Sequence, residues 1–108
     1  MLVRILNFNR NWNNKLNCII IPTIRAWTEW GEQFYLRGVG ELFTIRIHGK
    51  VWFKARLLSV NRMLLRDIQP ELLMFDTGTA TLELALNTFK RLGIRPEDPA
   101  LLLLFKKE

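Results

Sequence analysis

Sulfur and imidazole are scarce in this chain of 108 residues, which holds one cysteine, Cys18, and one histidine, His48. A lone cysteine excludes an internal disulfide, so the core has to come from apolar packing. That fits a reducing, cytoplasmic setting. One histidine and one thiol also fall short of the converging ligands that a metal site needs, so no metal and no cofactor is expected. A Cys18–His48 catalytic pair is disfavoured because Cys18 sits in an apolar run, where a buried, inert thiol is the usual case. Long apolar runs are missing too. Ile19–Ile21 and Ala100–Phe105 are far too short to cross a bilayer. Met1-Leu2-Val3-Arg4 enters a strand-like pattern without the layout of a signal peptide. Linkers, low-complexity tracts and repeats are lacking, so residues 1–108 read as a single domain. Gly38-Val39-Gly40 lacks the strand–helix context of a phosphate-binding glycine loop.

What is present is basic charge, unevenly placed. The net charge is +6; residues 1–66 hold 11 Lys/Arg against 3 Asp/Glu, and residues 67–108 hold 5 against 7. A basic half beside a mildly acidic one implies an electropositive face suited to a polyanion. Four tryptophans add stacking surfaces. An indole beside cations is how single-stranded nucleic acid is often held. Most tryptophans fill cores, so two or three of the four are expected to be structural, with Trp12 or Trp27 the exception.

Residues 2–8 read as a strand, and 9–17, with Trp12 and Leu16 one helical turn apart, as a short helix. A β-branched strand covers 19–25. Pro22 cannot donate to a ladder, which places that strand at an edge or starts it after the proline. Residues 42–59 alternate as a hairpin. A three-residue loop, His48-Gly49-Lys50, keeps the apolar faces together by pairing Ile47 with Val51, Ile45 with Phe53 and Phe43 with Ala55. A two-residue loop would mix the faces. The second face then carries Arg46, Trp52 and Lys54. Pro70–Phe75 reads as a short helix. Residues 79–92 form the clearest helix, capped by Thr79 or Thr81 and ended by Gly93. Leu101–Phe105 reads as a strand buried on both faces and therefore central. The order predicts an α+β domain: a small, mostly antiparallel β-barrel, with a short N-terminal helix and one longer helix before the last strand.

Several segments in this order resemble the ASCH domain family of the PUA-like superfamily. They are Ile5-Leu6-Asn7-Phe8, the Asn/Lys-rich Asn13–Cys18, and Ile20-Ile21-Pro22-Thr23-Ile24-Arg25, which is similar to a Lys-x-x-Thr-x-Arg strand. Gly31–Leu36 resembles the Gly-Asp-x-Val/Phe segment opening the next strand. Arg66-Asp67-Ile68 with Phe75–Gly78 resembles the loop-and-helix region after the hairpin. Leu101–Phe105 resembles the closing strand. The resemblance implies a PUA-like barrel with a cleft beside it that binds RNA or a nucleotide. Trp12, Lys15, Thr23, Arg25, Trp27, Lys54 and Asp76 are the candidate ligand-binding residues. Arg25 could hold a phosphate as a fork of donors or brace the barrel by pairing with Glu29, Asp67 or Asp76.

Some proteins similar to this family remove an acyl group from modified cytidine, using a Lys, a Thr and a Glu. The Thr matches Thr23, the Glu falls near Asp76, and the Lys falls on Ile20, which cannot serve as base or oxyanion holder. Lys15 could reach the same cleft. RNA or nucleotide binding is the first expectation and a small amidohydrolase the second. The third is a protein–protein module or homodimer using Trp30, Phe34, Leu58 and Leu73.

Overall fold

The computed structural model describes residues 4–8 and 18–108. Its strands are β1 (Ile5–Phe8), β2 (Ile20–Ala26), β3 (Leu42–Ile47), β4 (Lys50–Leu64) and β5 (Pro99–Lys107). Its helices are α1 (Glu29–Arg37), α2 (Pro70–Thr77) and α3 (Leu82–Arg91), with a 3-10 turn at Leu65–Asp67. The strands form one mixed sheet in the order β1-β3-β4-β5-β2, curled into a half-barrel. β1 runs parallel to β3, and the other pairings are antiparallel. The α+β class and the mostly antiparallel sheet match the expectation. The expected short helix at 9–17 lies outside the described residues.

The hairpin loop is shorter than the three residues expected. Ile47 pairs with Lys50, so the loop is the two residues His48 and Gly49. Both have positive φ, 51° and 78°, as a type I′ hairpin turn requires. Arg46 then pairs with Val51, yet Ile45 still pairs with Phe53 and Phe43 with Ala55. A β-bulge at Val51–Trp52 absorbs the odd residue. The apolar faces therefore stay together without a three-residue loop. β4 also continues past Ser59 to Leu64, with a second register shift between Leu57 and Ser59.

The segment Gly31–Leu36 does not open a strand; it lies inside α1. Thr28 caps this helix by accepting from the Gly31 amide at 2.9 Å, and Glu29 and Glu32 sit in its first turn. Phe34 and Tyr35 pack on the same core from adjacent helical positions. Pro22 keeps β2 at an edge, as expected from its missing N–H. β5 is interior, flanked by β4 and β2, also as expected.

Side-chain alternation along β5 feeds two cores. Leu101, Leu103 and Phe105 face the concave side with Leu6, Phe43, Ile45, Leu57 and Ile21, under Phe34 and Tyr35 of α1. Ala100 and Leu102 face the convex side with Ile24, where Leu65, Ile68, Leu73, Ala85, Phe89 and Ile94 cover them. Leu73, expected on an interaction surface, is thus buried in this second core. α2 starts with Pro70 at its first turn and stops at Gly78, whose φ is 67°. α3 is capped by Thr81, which accepts from the Leu84 amide at 3.2 Å. No helix among the described residues is long and apolar enough to cross a membrane.

Candidate functional site at the open edges of the sheet

Among the described residues the half-barrel has two edges, β1 and β2, and Arg25 ties them together. Alternation along β2 puts Ile21, Thr23 and Arg25 on the concave side. The Arg25 guanidinium lies 5.1 Å from the centre of the Phe8 ring on β1. Its Nη2 donates to the Asn7 carbonyl at 3.0 Å. Beside this seam opens a cleft of about 660 Å3. Its walls are Asn7 and Phe8 of β1, Thr23–Ala26 of β2, Asp76 and Thr77 of α2, and Thr88, Phe89 and Arg91 of α3, with Leu92 and Ile94 beyond.

Three residues expected at the site, Thr23, Arg25 and Asp76, therefore line one cleft. Thr23 is 2 % exposed, and Arg25 and Asp76 are half-buried. Asp76 arrives from the last turn of α2, two residues before the helix stops at Gly78. Arg91, the last residue of α3, faces the same space. It escaped the sequence reading because Lys90-Arg91 is explained by the helix dipole alone. Nothing in the local pattern distinguishes it from an ordinary C-terminal charge.

The electrostatics of the cleft are mixed. Arg25 and Arg91 present planar donor forks suited to phosphate or carboxylate. Asp76 is an acceptor, and the C-terminal ends of α2 and α3 add partial negative charge. The Thr77 hydroxyl donates to the Leu73 carbonyl at 2.8 Å, and that of Thr88 to Leu84 at 2.9 Å, so both serve their own helices. A ligand carrying an anionic group and hydrogen-bond donors on one small frame fits this arrangement.

The remaining candidates lie elsewhere. Trp27 is half-buried; its Nε1 donates to Glu32 Oε1 at 3.2 Å and the Arg62 guanidinium lies 5.4 Å from its ring centre. It braces α1 and is not part of the cleft wall. The exposed indoles among the described residues are Trp30 at 74 % and Trp52 at 49 %, which corrects the expectation for Trp27. Trp30 stacks on Phe34 with centroids 5.1 Å apart. Lys54 stands on the outer face of the hairpin opposite Thr44, away from the cleft wall. Trp12 and Lys15 lie outside the described residues. Ile20 is 45 % exposed and pairs with Lys106. Being three residues from Thr23, it faces the other side of β2. Cys18 is exposed rather than buried. No family model, curated protein or solved structure matches the chain.

Proposed function

We propose that the chain binds RNA or a nucleotide, seating one nucleotide unit in the seam cleft. One observation carries the reading: Thr23, Arg25 and Asp76, separated by half the sequence, meet Arg91 in a single cleft. The phosphate is assigned to Arg25 and Arg91, and donors of the base or sugar to Asp76. The resemblance to the ASCH domain within the PUA-like superfamily and the net charge of +6 support the same reading.

The test is tryptophan-fluorescence titration with a nucleoside monophosphate and with short RNA. Arg91→Ala is the cleaner variant because Arg25 also holds β1. Losing one charge-assisted contact costs about 1.5–3 kcal/mol, a drop in affinity of about tenfold to a hundredfold. Equal affinity in Arg91→Ala and the unaltered chain, or no binding to either ligand, would refute the assignment.

A second reading, a small amidohydrolase acting on a modified nucleoside, has the shared placement of Thr23 and Asp76 in its favour. It requires release of acid from an N-acylated nucleoside, lost in Thr23→Val. Intact substrate after long incubation removes it.

A further inference from the structure

The cleft uses only part of the cationic excess. α2 and α3 cover one end of the convex sheet face, over Ile24, Ala100 and Leu102. The other end carries Arg46 on β3, Lys54 and Arg56 on β4, and Lys106 on β5. The registers put all four side chains outward: Lys54 opposite Thr44, Arg56 opposite Leu42 and Lys106, and Arg46 opposite Asn7. Lys54 and Arg56 are two residues apart on one strand, about 7 Å.

Two details indicate that this charge is not incidental. Arg56 and Lys106 are directly cross-strand, a placement that costs stability for like charges. Among the described residues, Glu108 pairs with Arg56, at 2.8 Å from its Nη2, and not with Lys106. Among the described residues, the buried Arg46 Nε has no hydrogen-bond partner. The β4 bulge adds Trp52, half-exposed, beside these cations. The face is also continuous with the cleft, because Asn7 lines the cleft and pairs directly with Arg46.

We propose that this face carries single-stranded nucleic acid flanking the unit held in the cleft, with phosphates on Arg46, Lys54 and Lys106 and a base stacked on Trp52. The inference rests on the nucleotide reading of the cleft. A row of cations along and across strands with an exposed indole matches an extended polyanion with stackable bases.

The test compares a nucleoside monophosphate with RNA oligomers of increasing length at two salt concentrations, using the full chain, Arg91→Ala and Lys106→Glu. The longest oligomer is expected to bind at least about tenfold more tightly than the monophosphate, with the gain eroded by salt. Arg91→Ala should weaken both ligands by a similar factor. Lys106→Glu should reduce the gain with length and flatten the salt dependence by about one unit of slope or more. It also sets a carboxylate opposite Arg56, so an unchanged or raised melting temperature excludes unfolding as the cause. Monophosphate binding with no gain from length overturns this inference and spares the cleft. No monophosphate binding overturns the cleft reading first. Binding to vesicles rich in anionic lipid, sensitive to Lys106→Glu and without any gain on RNA, overturns it in favour of a membrane surface.

Discussion

Gly38 follows α1 with φ of −92°, a value any residue adopts, so its requirement is space rather than backbone freedom. A Cβ there would stand 2.8 Å from Phe43 Cζ and 2.9 Å from its Cε1. Phe43 is fully buried and meets Tyr35 and Phe105 ring to ring, so it has little room to yield. Gly38→Ala is expected to destabilise the fold by about 1–3 kcal/mol, read as a lower urea midpoint at constant slope. An unchanged midpoint would mean that the ring gives way at no cost. At this same scale the candidate site was partly legible. Thr23, Arg25 and Asp76, expected from the family resemblance, line one cleft, because such a resemblance records residue type and order. Arg91 and the bracing role of Trp27 depend on which side of an element faces what, and a single charge or indole does not encode that.

Among the elements, those with clean periodicity were legible: the 42–59 alternation, the amphipathic α3 and the uniformly apolar β5. α1 stands where the resemblance implied the opening of a strand at Gly31–Leu36, and the Thr28 cap that fixes the helix is a single side-chain contact. Strict alternation predicts a three-residue hairpin loop, and the bulge restores the parity for a two-residue one. His48 occupies the first left-handed position of that turn with φ of 51°, which asparagine tolerates better than histidine does. His48→Asn should therefore stabilise the hairpin slightly, seen as a higher urea midpoint. A three-residue loop in solution would make the substitution neutral or unfavourable.

For the whole molecule, β5 is the shared wall of both cores, Leu103 and Phe105 on one side and Leu102 on the other. Neither core can lose it alone. Helical circular dichroism, dominated by α2 and α3 on the convex side, and tryptophan fluorescence, which includes Trp27 against the concave core, should therefore lose signal at one midpoint. Two separated midpoints would show that the helices melt off an intact sheet. The two bulges in β4 have a further meaning for how chains of this design change length. Removing Trp52 would leave Ile47 opposite Lys50, Arg46 opposite Val51 and Ile45 opposite Phe53, a regular ladder with every inward residue still inward. Removing Leu58 would do the same against β5. A single-residue loss between Phe53 and Leu57 would instead throw part of the strand to the wrong side. Insertions and deletions in related chains should therefore collect at these two points, where the strand carries a spare residue, while the stretch between them keeps its length.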